Sequence, residues 1–192
     1  MPPGFLKTRA ELSAPDIQLH FVVAIVEDHA RKLRWGHGFS CHVCLLRPRS
    51  RGTISLRTAD PLEPPAIDPN FLAHPDDVED MVAGFKLTRR LMDAPALASR
   101  RTRDLFTAGV HTDDEIRAVL RQRVDCVYHP VGTCKMGLDE AAVVDPLLQV
   151  RNLTGLRVVD CSIMPTLVGG NTNAPAIMIG EKAAVAIRAS TR

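Results

Sequence analysis

Cys126-Val127-Tyr128-His129-Pro130-Val131-Gly132-Thr133-Cys134-Lys135-Met136-Gly137 is the stretch from which the rest of the chain can be read. Its proline and two glycines keep it out of regular helix. Pro130 fixes its own φ and disfavours helical backbone at the residue before it, so His129 is held extended. Imidazole is the side chain that exchanges a proton near neutral pH, and a rigid loop is how a general base would be aimed. A structural histidine at a loop end satisfies the same pattern, and spacing alone leaves both readings open.

About forty residues on, Gly169-Gly170-Asn171-Thr172-Asn173-Ala174-Pro175 has the same irregular character, with two amides in place of the imidazole. Asn171 and Asn173 precede an apolar helical segment. There they could cap its N-terminus, orient a substrate hydroxyl, or both. The backbone N–H groups of residues 172–176 sit at a helix start, a position suited to a partly negative atom.

Composition narrows the class. The chain has 192 residues, 45% of them apolar, enough for a sizeable core. Twenty-four basic residues against 22 acidic ones leave +2, which gives no nucleic-acid surface. Nothing reaches the length of uncharged apolar sequence that a membrane span requires, and the first residues lack a signal peptide's apolar centre. Five cysteines read as reduced thiols, which points to the cytoplasm.

Taken in order, 17–26 alternates and then turns continuously apolar, as a strand inside a sheet does. Residues 28–38 read as a polar loop. The runs 39–46 and 53–57, joined across a six-residue link holding Pro48 and Gly52, are expected to be antiparallel neighbours. Residues 60–75 read as ordered loop. Pro75-Asp76-Asp77 opens a helix with acids in its first turn, and Thr112-Asp113-Asp114-Glu115 has capping-box spacing. Short strands are expected at 147–150 and 156–160, and a last helix over 174–189. That helix is apolar around much of its circumference, and Gly180 inside it suggests the close approach of another element.

Two further candidates stand against bland alternatives. Cys41-His42-Val43-Cys44 invites a metal reading, but the odd spacing sends the two thiols to opposite faces of a strand, so small buried hydrophobes are expected. Asp160 could meet a ligand at a strand's carboxyl end or cap the turn at Ser162. No Gly-x-Gly-x-x-Gly and no phosphate loop occurs in the sequence, which leaves it without the usual device for a dinucleotide.

Taken together, residues 128–137, 156–165 and 170–184 resemble the C-terminal part of the glucose-methanol-choline (GMC) family of FAD-dependent oxidoreductases. Ala14-Pro15-Asp16-Ile17-Gln18-Leu19-His20-Phe21 and Leu46-Arg47-Pro48-Arg49-Ser50-Arg51-Gly52 are similar to its bacterial alcohol and choline dehydrogenase-like branch. Cys161 departs from the family's usual Ala or Gly. The resemblance implies an α+β fold, mostly antiparallel sheet with flanking helices. Residues 1–125 would form the main part of a substrate-binding domain. Residues 126–192 would carry the histidine loop, a flavin-contacting segment and a helix that packs into an FAD-binding Rossmann-like domain.

It further implies alcohol oxidation with hydride passed to flavin N5, His129 as base and Asn171 as the second active-site residue. Asp160, Cys161, Thr172, Asn173 and Ala174 correspond to segments near the FAD. Because the dinucleotide fingerprint is absent, the expectation is that this chain alone holds FAD weakly or not at all and does not turn over. A separate polypeptide carrying the FAD domain is then the expected partner, beside the small alcohol substrate. The rival expectations are a non-catalytic remnant or interaction module, and a choline dehydrogenase or alcohol oxidase activity in an assembled enzyme.

Overall fold

The central strand of the sheet is β2 (Ile17–Val22), which runs antiparallel to β1 (Gly4–Leu6) on one side and to β3 (Ser40–Leu45) on the other. The computed structural model describes residues 4–28, 32 and 34–190. Register sets Ile17 opposite Leu45, Leu19 opposite Val43 and His20 opposite His42. Alternation therefore puts Ile17, Leu19, Val43 and Leu45 on one face, and that face is covered by α1 (Pro75–Met92). Gly84 makes the cover close: a Cβ there would stand 3.1 Å from Val43 Cγ2 and 3.4 Å from Ile17 Cγ2. β2 ends earlier than its apolar run suggests, because Ser40 Oγ bonds the Val26 N–H and the Ala24 carbonyl in place of a ladder. Part of the loop expected at 28–38 lies outside the described residues.

α1 begins as its sequence predicts, with Pro75 in the first turn and His74 Nδ1 accepting the Asp76 N–H at 3.2 Å. α2 (Pro95–Ala98) is a single turn. α3 (Asp113–Arg123) carries the full capping box, Glu115 Oε2 taking the N–H groups of His111 and Thr112 at 2.8 Å each. Met81 and Val82 of α1 bury against Ile116 and Leu120 of α3 and against Val110. Arg89 reaches from α1 to the carbonyls of Thr107 and Val110, and so ties down the segment before α3.

The expected pairing of 39–46 with 53–57 does not form. β4 (Thr53–Ser55) pairs instead with β5 (Ala66–Asp68), inside the stretch expected to be loop. The linker is captured before it can turn back. The Leu46 N–H bonds the Asp16 carbonyl, and the Arg49 and Ser50 N–H groups both bond the Asp77 carboxylate. Gly52 is then required, since a Cβ there would lie 2.2 Å from the Asp68 carbonyl.

The chain divides into two compact units. One holds the residues up to Ser50 together with Phe71–Asp125; the other holds Arg51–Asn70 and the residues from Cys126 onward. In the second, regular structure is sparse until α4 (Asn173–Ser190). Residues 147–150 and 156–160 make only isolated bridges, Gln149–Arg157 and Val144–Val150, rather than the strands expected. Leu148 and Asn152 adopt φ of 64° and 61°, and the Asp145 carboxylate takes the Leu147 and Gln149 N–H groups, which breaks the ladder. The core here is Val144, Ile163, Met164 and Ile179. Ile179 and Ala183 of α4 are buried, but Ile177, Met178 and Val185 are at least half exposed. A Cβ on Gly180 would meet nothing within 4 Å, so no described residue makes the close approach its glycine suggested. Among the described residues no helix is long and apolar enough to cross a membrane.

Candidate functional site

The histidine loop is set by its neighbours in the second unit. Tyr128 turns the chain with φ of 64° and donates its N–H to Cys126 Sγ. Beyond Gly132, the Cys134 N–H bonds the Ser162 carbonyl at 3.0 Å and the Met136 N–H bonds the Ile163 carbonyl at 2.8 Å. These bonds fasten the loop to a 3-10 turn over Cys161–Ile163, whose first N–H groups are capped by Asp160 through Ser162 N at 2.7 Å. Ile163 and Met164 then pack with Ile179, so the same small core locates the start of α4.

His129 is thereby brought to the residues just before that helix. Its Nδ1 lies 3.0 Å from Thr172 Oγ1 and 3.4 Å from the Thr172 backbone N, and its Nε2 lies 2.7 Å from Asn171 Nδ2. The two ring nitrogens see different surroundings. Thr172 is 9% exposed, whereas Asn171 is exposed and His129 half-buried. The Nδ1 side is thus anchored in protein, and the Nε2 side opens with the amide toward solvent. An imidazole nitrogen beside an amide N–H offers one hydroxyl both an acceptor for its proton and a donor for its oxygen.

Of the residues singled out in the sequence, His129, Asn171 and Thr172 come together, and Cys161 joins them by pointing its Sγ at the Thr172 carbonyl, 3.8 Å away. Asp160 lies beside them in sequence but spends Oδ1 on the 3-10 turn, the capping role that its sequence left open. Asn173 and Ala174 form the exposed first turn of α4, where their N–H groups have no intrahelical acceptor. The Thr172 side chain is the part that residue-by-residue reading missed. The signal was present in Pro175, which removes a donor that a capping threonine would otherwise use. Away from this site, Cys44 Sγ lies 3.7 Å from His20 Nε2 on one face of the β2–β3 pair. Burial pushes both the Cys41 and Cys44 thiols up, with a backbone hydrogen bond from Gln18 partly opposing this at Cys44.

Residues 48–180 match the family described as GMC oxidoreductase. The chain is 51% identical over 182 residues to an "Alcohol dehydrogenase [acceptor]" of Pseudomonas putida, covering 94% of this chain and 33% of that protein. It is 43% identical over 187 residues to an "Oxygen-dependent choline dehydrogenase" of Klebsiella pneumoniae subsp. pneumoniae, covering 96% and 34%. Among solved structures it is similar to pyridoxine 4-oxidase from Mesorbium loti, with TM-score 0.87 and 28% identity over 99% of this chain and 38% of that one. Formate oxidase from Aspergillus oryzae RIB40 gives TM-score 0.83 and 28% identity, over 93% and 32%. The chain spans about a third of the length of the curated relatives it matches.

Proposed function

The chain belongs to the GMC oxidoreductase family, and from that premise we propose that it carries the proton-accepting side of an FAD-dependent alcohol oxidation. The observation that carries the reading is the 2.7 Å juxtaposition of His129 Nε2 and Asn171 Nδ2 on the exposed side of a ring anchored through its other nitrogen. A scaffold has no physical need for both groups at one point.

The donor set suits a flavin. Next to the imidazole and amide, the first turn of α4 presents N–H groups of Asn173 and Ala174 that have no intrahelical acceptor, which fit the electron-rich edge of a polar ring system. Asn173, Ala174, Thr172 and the Asp160–Cys161 corner are the residues proposed to line FAD. When bound, FAD supplies the hydride acceptor. Binding is proposed to be shared with a dinucleotide-binding domain, because these residues include no glycine-rich phosphate motif. That domain is the proposed protein partner, and the five free cysteines favour a reducing, cytoplasmic setting.

His129 Nε2 takes the hydroxyl proton of the alcohol. Asn171, drawn off Nε2 by the incoming oxygen, donates to that oxygen as negative charge grows on it. A positioned base contributes about 10²–10⁴-fold, and one donor aimed at developing charge about 10²–10³-fold. The higher identity to an alcohol dehydrogenase than to choline dehydrogenases supports an uncharged alcohol as substrate.

The test is co-expression of this chain with the portion of the Pseudomonas putida relative that it does not match, followed by dye-linked oxidation of simple alcohols and of choline. His129→Gln should lower kcat by at least about 10²-fold. Full activity in that variant would remove His129 from the role, and turnover of choline alone would remove the substrate assignment.

A further inference from the structure

We propose that Thr172 is the positioning residue of this site: its side-chain oxygen accepts the Nδ1 proton of His129 and so fixes the tautomer whose Nε2 can take a proton. The proposal deepens, and rests on, the reading of His129 as proton acceptor.

Thr172 stands where a helix is capped, since its carbonyl accepts the first intrahelical bond of α4, from Ala176 N at 2.9 Å. A threonine there ordinarily turns its Oγ to an N–H of the second or third helical residue. The third residue is Pro175, which has no N–H. Its Oγ1 instead lies 3.0 Å from His129 Nδ1. Thr172 is 9% exposed, so the ring nitrogen rather than solvent is the partner of Oγ1.

A neutral imidazole has one N–H and one lone pair, and the partner of one nitrogen decides the state of the other. With Nδ1–H donating to Thr172 Oγ1, the lone pair lies on Nε2. Asn171 Nδ2 at 2.7 Å from Nε2 fits that arrangement, because an amide N–H can donate only to an unprotonated nitrogen. The opposite tautomer would set Nε2–H against the hydrogens of the same amide. The Thr172 backbone N–H at 3.4 Å from Nδ1 favours that opposite tautomer, but it lies beyond the usual 2.7–3.2 Å range and is the weaker contact. Free histidine prefers Nε2–H, so the acceptor at Nδ1 is what reverses the preference. When the substrate O–H bond breaks and an Nε2–H bond forms, Nδ1–H remains donated to Oγ1. Thr172 therefore need not rearrange during the proton transfer.

The test is two-bond ¹H–¹⁵N correlation on the full chain with ¹⁵N-labelled histidine, above the imidazole titration, with the His129 signals identified by their loss in His129→Gln. The wild-type chain should show the Nδ1–H pattern at His129, and Thr172→Ser should keep it. Thr172→Val should lower the Nδ1–H fraction several-fold while the other histidine signals stay in place. An Nε2–H pattern in the wild type overturns the proposal without any variant, and so does a Val variant identical to it. Because the measurement needs neither flavin nor substrate, it is separable from the proposed function. The expected pattern in a protein that fails to oxidise alcohols after co-expression would leave the positioning role standing and defeat the activity. In the co-expressed enzyme Thr172→Val should cost about 10-fold in kcat with KM little changed, and Ser should restore it.

Discussion

Asp77 accepts bonds from the Arg49 N–H at 2.8 and 3.1 Å, from the Ser50 N–H at 2.7 Å and from the Ser50 hydroxyl at 2.5 Å, while itself only 2% exposed. Burial alone would push this carboxyl up. The bonds from Arg49 and Ser50, with His74 nearby, outweigh burial and hold it below the ordinary carboxylate value. A folded pKa below the unfolded one contributes stability above the unfolded value, and that contribution is lost as pH falls through the folded one. The urea midpoint should therefore decline below about pH 4, and Asp77→Asn should flatten that part of the profile. Asp77→Ala leaves the part-buried Arg49 and Ser50 N–H groups without their acceptor and should cost about 1–3 kcal/mol in urea unfolding at pH 7. From sequence the residue read only as a favourable acid in a helix's first turn. Its anchoring of a linker 28 residues upstream could not be read locally.

At the scale of elements, helix ends were the most legible features. Thr112 and Glu115 form the box that their spacing foretold, because capping involves groups only three residues apart. Thr112→Ala should cost about 1 kcal/mol in thermal unfolding. The glycines of two helices should behave oppositely. Gly180→Ala meets open space and should stabilise this chain by up to about 1 kcal/mol. Gly84→Ala brings a methyl to 3.1 Å from Val43 and should destabilise it, so paired urea midpoints for the two variants should move in opposite directions. Strand partners were less legible. Residues 39–46 and 53–57 look like a hairpin by alternation and link length, yet Leu46 gives its N–H to Asp16 and Arg49 and Ser50 of the link give theirs to Asp77, and each run pairs elsewhere.

For the molecule as a whole, the division into two units places every candidate catalytic and flavin-facing residue in one of them, the unit with the least regular structure. The proposed sharing of FAD has a direct readout. Flavin released from this chain purified alone should be well below one per protein, and co-purification with the portion of the Pseudomonas putida relative that this chain does not match should raise it toward one. Stoichiometric flavin in the chain by itself would show that these residues suffice to hold it.

Sequence by itself determined the antiparallel α+β class, the helix starts at Pro75 and Asp113, the irregular backbone around His129 and the family to which that loop belongs. Those features depend on backbone stereochemistry, periodicity and caps, which act over a few residues. Only the tertiary structure decided that β4 pairs with β5, that α4 buries one narrow face, and that the Thr172 hydroxyl turns from its own helix to a ring 43 residues away. For β4 and for Thr172 a polar group had more than one partner within chemical reason, and for α4 more than one apolar face could have been buried. The choice was made by which partner the packed core brought within about 3 Å.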